Sequence, residues 1–176
     1  YSDVPRSHFA YAAISRLAFL NLMGGFPNGT FRPNQPVTRA EVVAILLQAV
    51  DIPPQTDPPQ FSDVSSVHWA AGYIQTAVNL GIASGNSDGT FKPQEKLTRA
   101  EVVAMVARFL PESKGFQRRP LFTDVDDSHW VYPAIRIAYE NNLLEFVAGN
   151  RFLPKEPVTR AELAWMITNL PAVVAK

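Results

Sequence analysis

The chain has 176 residues, no cysteine, and 16 basic against 16 acidic residues, so its formal net charge is zero. Without cysteine there is no disulfide, thiolate metal site or cysteine nucleophile, and a neutral chain has no general electrostatic attraction to nucleic acid or to an anionic membrane. No apolar run approaches the roughly 18 residues that cross a bilayer, so we expect neither nucleic-acid binding nor membrane insertion by this segment.

The first 50 residues predict two helices joined by a loop. The first helix begins near His8 and has apolar residues at helical spacing, such as Ile14 and Leu17. A glycine-rich loop over residues 24–30 contains an Asn-Gly pair, which favours a tight turn with positive φ. The second helix begins at residues 38–41, Thr-Arg-Ala-Glu, which are typical of a capping box in which threonine and glutamate satisfy each other's backbone amides.

This arrangement of motifs occurs three times along the chain. The Thr-Arg-Ala-Glu box begins at Thr38, Thr98 and Thr159, which are 60 and 61 residues apart. Three further motifs keep the same order: an aromatic residue before Ser/Thr-Asp-Val, a histidine before an aromatic residue, and Phe-x-Pro. They begin at Tyr1, Phe61 and Phe122, at His8, His68 and His129, and at Phe31, Phe91 and Phe152. Such a register indicates tandem structural repeats.

The motifs divide the chain into repeats of about 50 residues. We assign repeats 1, 2 and 3 to residues 1–50, 61–110 and 122–171, linkers to 51–60 and 111–121, and a tail to 172–176. The first linker has four prolines in ten residues, which cannot continue a helix. Because one short helix pair buries its apolar face poorly, we predict a mainly α fold. In it, three helix-loop-helix repeats form one body with approximate threefold internal symmetry.

These motifs resemble those of the S-layer homology family, whose repeats contain F-x-D-V, H-W-A, G-x-F-x-P and T-R-A-E. The resemblance covers nearly the whole chain. It implies a pseudo-trimer with a central helical bundle that tethers proteins to the cell wall without covalent bonds. It also implies a ligand, a peptidoglycan-linked secondary cell-wall polysaccharide that carries pyruvate ketals and binds in grooves between repeats. The implied location is the cell surface.

The resemblance further implies which residues contact the ligand. They are the arginine of each box, glycine backbone in the loops, and the aspartate and tryptophan of the first motifs. In this sequence they are Arg39, Arg99, Arg160, Gly25, Gly85, Asp3, Asp63, Asp124, Trp69 and Trp130. We expect no catalytic residue, no metal and no cofactor, and we expect a monomer.

Each of these residue types also has a purely structural explanation. Arginine in the first turn of a helix is mildly disfavoured by the helix dipole, so three of them need a reason. Either the helix N-terminus and the guanidinium together attract a carboxylate ligand, or the arginine forms an ion pair with a neighbouring repeat, for which Asp3, Asp63 and Asp124 are candidate partners. The glycines can end a helix, and the indole rings can pack in the core. The three histidines share one repeat position, which favours a bond to local backbone over a metal site.

Repeat 3 departs from the other two repeats in its loop. It has Phe146 in place of Gly25 and Gly85, Asn150 in place of Gly29 and Gly89, and Leu153 in place of Arg32 and Lys92. We therefore predict that one of the three pockets is closed, altered or weak.

Two other functions are left open by the sequence. The same helical body can serve as a protein–protein scaffold, or as an outer-membrane-to-peptidoglycan tether that does not depend on pyruvylation. An enzyme is not expected, because no nucleophile–base pair, metal-ligand spacing or phosphate-binding loop is found.

Overall fold

The computed structural model describes residues 1–57, 59–112 and 121–176. The predicted mainly helical fold is confirmed, since these residues form helices and isolated β-bridges but no strand. Each repeat contributes two helices, and a short helix follows the last repeat. The helices are α1 Tyr11–Phe19, α2 Arg39–Ala49, α3 Ala71–Asn79, α4 Arg99–Ala107, α5 Tyr132–Glu140, α6 Arg160–Thr168 and α7 Pro171–Val174.

The second helix of each repeat begins with the predicted capping box. The Thr38 hydroxyl accepts a hydrogen bond from the Glu41 amide at 3.2 Å, and the Glu41 carboxylate accepts one from the Thr38 amide at 2.7 Å. The same reciprocal pair begins α4 and α6. Two of the four amides that a helix start leaves unpaired are thereby satisfied within the repeat.

The other two amides of each helix start are satisfied by a neighbouring repeat. The Arg39 amide donates to the Glu95 carbonyl at 2.8 Å, and the Ala40 amide donates to the Pro93 carbonyl at 3.0 Å. The equivalent bonds run from repeat 2 to repeat 3 and from repeat 3 to repeat 1. They join Arg99 to Glu156, Ala100 to Pro154, Arg160 to Gln35, and Ala161 to Pro33.

Helix packing follows the same order around the three repeats. Helix α2 packs against α3 of the next repeat, α4 against α5, and α6 against α1, while α6 also contacts both α2 and α4. The buried apolar side chains of all three repeats form one continuous cluster. Every repeat therefore contacts both of the others.

The first helix of each repeat begins after its histidine rather than at it. The His8 ring accepts a hydrogen bond on Nδ1 from the Ala10 amide at 3.1 Å, and the rings of His68 and His129 bond in the same way at 3.1 and 3.3 Å. The local structural role predicted for the histidines is confirmed. Helix α1 then starts at Tyr11, three residues later than the predicted boundary.

An aspartate fixes the Phe-x-Pro segment of its own repeat. The two oxygens of Asp3 accept hydrogen bonds from the amides of Phe31 and Arg32 at 2.8 and 2.7 Å. Arg32 has φ of 58°, in the left-handed region that costs a non-glycine residue about 1 kcal/mol or more. Asp63 and Asp124 hold Phe91, Lys92, Phe152 and Leu153 identically, with φ of 57° at Lys92 and Leu153. The carboxylate offsets the backbone strain, and the preceding phenylalanine is fully buried.

The segments outside the repeats also pack on the body. In the first linker, the Gln55 amide donates to the Thr76 hydroxyl of α3 at 3.0 Å. Most of the second linker predicted at 111–121 lies outside the described residues. Part of the predicted tail belongs to α7, where Val173 is buried and its carbonyl accepts a hydrogen bond from Arg16 of repeat 1 at 2.9 Å.

We predict that Asp124→Ala lowers the free energy of unfolding by about 2 kcal/mol, because two backbone amides lose a charged acceptor. Partial burial raises the pKa of Asp124, but hydrogen bonds from Phe152 and Leu153 lower the pKa by more, so it lies below the ordinary 3.8. The stabilisation is therefore complete above pH 3.8 and disappears as the pH falls through the lowered folded-state pKa. Urea unfolding at several pH values measures it.

Asp127→Ala is the matched control, since Asp127 is exposed and three residues away. Equal stability of the two variants at pH 7 would contradict a clamping role for Asp124.

Candidate ligand-binding grooves

The arginine of each capping box crosses to the neighbouring repeat. Arg39 Nη2 donates to the Ser84 carbonyl of repeat 2 at 2.5 Å. Arg99 donates to the Phe152 carbonyl of repeat 3, and Arg160 donates through Nε to the Phe31 carbonyl of repeat 1 at 2.8 Å. The surfaces at these three boundaries between repeats are named here the Arg39, Arg99 and Arg160 grooves.

The Arg39 groove is an open cleft of about 250 Å³ to which all three repeats contribute. Its walls include Arg39 of repeat 1, Ser84, Glu101 and Met105 of repeat 2, and Trp130 of repeat 3. Trp130 is 62% exposed. Among the described residues, no carboxylate lies within 4.0 Å of the Arg39 guanidinium, which packs over the Phe91 ring at 4.5 Å. An arginine without an acidic partner and an exposed indole thus share one cleft.

The Arg99 groove differs because its arginine already has an acidic partner. Arg99 Nη2 lies 2.5 Å from the Glu162 carboxylate, and both side chains are nearly buried, at 11% and 13% exposure. The guanidinium carbon is also 5.7 Å from the centre of the Phe146 ring. The charge of Arg99 is therefore balanced within the protein, which leaves little attraction for a second anion.

An aromatic cluster also occupies space beside Arg99. The ring centre of Phe9 lies 6.2 Å from those of Phe146 and Trp165. Phe146 and Trp165 of repeat 3 correspond to the smaller residues Gly85 and Ala104 of repeat 2. Ala104 lines the Arg39 groove. The sequence analysis identified Phe146 as a departure in repeat 3, and in the structure its ring lies in the Arg99 groove.

Arg160 is buried, and its hydrogen-bond acceptors among the described residues are carbonyl oxygens. It is 7% exposed, and its Nη2 donates to the Gly24 carbonyl at 2.6 Å in addition to the bond with Phe31. Burial lowers the pKa of Arg160, and the nearby Glu41 partly opposes that effect. As in the Arg39 groove, none of the acidic side chains within the described ranges comes within 4.0 Å of Arg160.

The alternative explanation, an ion pair with a neighbouring repeat, holds for Arg99, whose partner is Glu162 and not one of the repeat aspartates. Asp3, Asp63 and Asp124 instead hold the Phe-x-Pro amides of their own repeats. The N-terminal amides of α2, α4 and α6 are not free to bind an anion directly, because the neighbouring repeat and the capping box already accept their hydrogen bonds. An anion in these grooves would therefore have to bond to side chains or to other backbone groups.

The two loop glycines pack against aromatic rings of their own repeats. A Cβ atom at either Gly25 or Gly85 would lie 2.2 Å from the ring of Tyr1 or Phe61, respectively. This close approach explains the glycines structurally, and their contact with a ligand stays a prediction. Gly85 also lines a second cavity of about 560 Å³ within repeat 2, together with Arg108, which sequence reasoning did not identify.

The tryptophans are not core residues. Trp69 and Trp130 are 59% and 62% exposed, each two residues before the first helix of its repeat. Because α3 packs on α2 as α5 packs on α4, we expect Trp69 to lie beside the Arg160 groove as Trp130 lies beside the Arg39 groove. Sequence reasoning missed Ser84, Glu101 and Trp165 as groove residues, since only contacts between repeats reveal them.

Two further properties concern function. Across residues 1–57, 59–112 and 121–176, no three or more His, Cys, Asp or Glu residues are grouped so that they could hold a metal ion. No helix in the described part of the chain has the length and apolar character needed to cross a membrane.

Comparison with known proteins gives matches for all three repeats. Residues 1–43, 60–103 and 121–164 match the sequence model of a family described as the S-layer homology domain. Cell surface glycoprotein 1 of Acetivibrio thermocellus is 35% identical over 147 residues, covering 75% of this chain and 6% of that protein. The cellulosome-anchoring protein of the same species is 38% identical over 146 residues, covering 77% and 31%.

An enzyme is also among the relatives. An amylopullulanase of Thermoanaerobacterium thermosulfurigenes is 30% identical over 175 residues, covering 97% of this chain but 9% of the enzyme. The chain thus spans less than a third of the length of each of these relatives.

We predict that Arg99→Ala lowers the free energy of unfolding by about 3–5 kcal/mol, because it leaves a nearly buried Glu162 unpaired. Arg39→Ala, the equivalent change in repeat 1, removes no ion pair and should cost about 1 kcal/mol. Urea unfolding followed by circular dichroism compares the two variants. A larger loss for Arg39→Ala would contradict the assignment of Arg99 as the structural arginine.

Proposed function

Since the chain belongs to the S-layer homology domain family, we propose that it anchors a protein non-covalently at the cell surface by binding a cell-wall polysaccharide. The names of two relatives support the role, because one is a cell surface glycoprotein and the other anchors a cellulosome. The match to the amylopullulanase covers only a small share of that enzyme, which fits an attached module better than a catalytic one. We assign it no enzymatic activity.

The ligand that we propose is a pyruvate ketal on a peptidoglycan-linked secondary polysaccharide. A ketal presents one fixed carboxylate on a sugar ring, so its recognition needs a cation beside a flat apolar surface. The Arg39 groove has both, and this is the observation that carries the proposal. Arg39 lacks an acidic partner among the described side chains, and the exposed Trp130 lines the same cleft.

We further propose two functional grooves rather than three. The Arg39 and Arg160 grooves contain arginines without an acidic partner in the described part of the chain, whereas Arg99 is paired with Glu162 and beside Phe146. Two sites that engage one polymer together would bind more tightly than either site alone.

We also propose that the protein is a monomer whose three repeats are related by pseudo-threefold symmetry around α2, α4 and α6. The support is that equivalent amide-to-carbonyl bonds run from repeat 1 to 2, from 2 to 3 and from 3 to 1.

Co-sedimentation with purified cell-wall sacculi tests the ligand. We expect the protein to pellet with untreated sacculi and to stay in solution after mild acid has removed the ketals. Free methyl glycoside carrying a pyruvate ketal should compete, and its methyl ester should not, because the ester lacks the carboxylate charge. Pelleting that survives acid treatment would replace the ketal with another wall feature, as in an outer-membrane-to-peptidoglycan tether. No pelleting with any wall would favour a protein–protein scaffold.

We predict that Arg39→Ala weakens binding to untreated sacculi by about tenfold or more, because one charge-assisted hydrogen bond to the ligand is lost. Arg6→Ala removes the same charge from an exposed position and should bind like the wild type. Equal binding by both variants, with the fold intact, would show that Arg39 does not contact the ligand.

Titration calorimetry with the ketal glycoside counts the sites, and we expect two per chain. Three equal sites would contradict the closure of the Arg99 groove.

A further inference from the structure

Arg32 is an exposed cation that the family resemblance does not assign to the ligand. It is the middle residue of the first Phe-x-Pro segment, and its backbone is fixed in the left-handed region by Asp3. Its guanidinium carbon lies 3.8 Å from the centre of the Phe26 ring. A flexible surface side chain is therefore held in one place by a fixed backbone and an aromatic ring.

The same ring is approached by the arginine of repeat 3. The Arg160 guanidinium carbon lies 5.1 Å from the Phe26 ring centre, so two positive groups share one aromatic neighbour. Throughout the residues that the structure describes, neither guanidinium has a carboxylate within 4.0 Å. The two like charges repel each other, with Glu41 near enough to offset part of that repulsion, and an anion that joined them would relieve it further.

The two arginines differ in what they can reach. Arg160 is 7% exposed and donates to the carbonyls of Phe31 and Gly24. Arg32 is exposed, and no described hydrogen-bond acceptor occupies its guanidinium. A ligand entering from solvent would therefore meet Arg32 first, while Arg160 adds a fixed positive charge beneath it.

The other repeats vary at this position without changing the backbone. Lys92 follows Phe91, which contacts Arg39, and Leu153 follows Phe152, which contacts Arg99. The φ angles at Arg32, Lys92 and Leu153 are 58°, 57° and 57°. The middle residue of Phe-x-Pro is thus a cation, Arg32 or Lys92, beside the two box arginines that lack an acidic partner among the described residues. It is the apolar Leu153 beside Arg99, which pairs with Glu162.

We propose that Arg32, and not the buried Arg160, makes the direct contact with the carboxylate of the glycan in the Arg160 groove, with Phe26 holding its guanidinium in place. This inference rests on the proposed recognition of an anionic wall glycan and names the contact residue of its second site.

The test uses the Arg39→Ala protein, in which the Arg160 groove is the remaining site for the ketal glycoside. Into it we would introduce Arg32→Leu, copying repeat 3, or Arg32→Lys, copying repeat 2. Since leucine and lysine already occupy the same backbone conformation at the equivalent positions, both variants should fold, which thermal unfolding checks. Arg6→Leu is the control for loss of an exposed positive charge in repeat 1.

Titration calorimetry at several salt concentrations gives the affinity. We expect Arg32→Leu to weaken the remaining site by about tenfold and to reduce its salt dependence. Arg32→Lys should stay within about threefold, and Arg6→Leu should change nothing. If Arg32→Leu retains full affinity while Arg39→Ala still binds, the contact by Arg32 is wrong but the ketal proposal stands. If even the wild-type protein does not bind the ketal acid, both proposals fail.

Discussion

The fold depends on the start of three helices that cannot be completed within their own repeats. A helix leaves its first four amides unpaired, and the capping box satisfies two of them locally at Thr38 and Glu41. The other two, on Arg39 and Ala40, require the carbonyls of Glu95 and Pro93 in the next repeat. Those carbonyls follow Lys92, whose amide donates to Asp63 and whose φ lies in the left-handed region. The segment that a carboxylate fixes in one repeat is thus the segment that completes the cap of a helix in another.

The grooves are a by-product of the same arrangement. The arginine whose amide is capped by the neighbouring repeat also extends its side chain along that neighbour, toward Ser84, Phe152 or Phe31. All three arginines therefore occupy the same position at the start of their helices, and they differ in the side chains that surround them. A glutamate pairs with Arg99, whereas no carboxylate in the described ranges lies within 4.0 Å of Arg39.

The sequence predicted features that depend on neighbours in the chain. The capping boxes, the helix pairs and the histidine bonds are set by residues a few positions apart, so a short motif is enough to predict them. Contacts between repeats escaped prediction. Nothing in the sequence near Arg99 shows that Glu162, rather than an aspartate, approaches it. The exposure of Trp130 likewise depends on how α5 lies on α4, and an isolated tryptophan gives no sign of it.

The contacts between repeats also bear on the order of the repeats along the chain. The boundary between repeats 3 and 1 has the same backbone bonds as the other two, Arg160 to Gln35 and Ala161 to Pro33, although no linker within the sequence joins these repeats directly. Chain connectivity is therefore not needed to specify that boundary, only to raise the effective concentration of its two sides. Contacts of this kind are compatible with circular permutation, and with the exchange of a repeat between two copies of the chain.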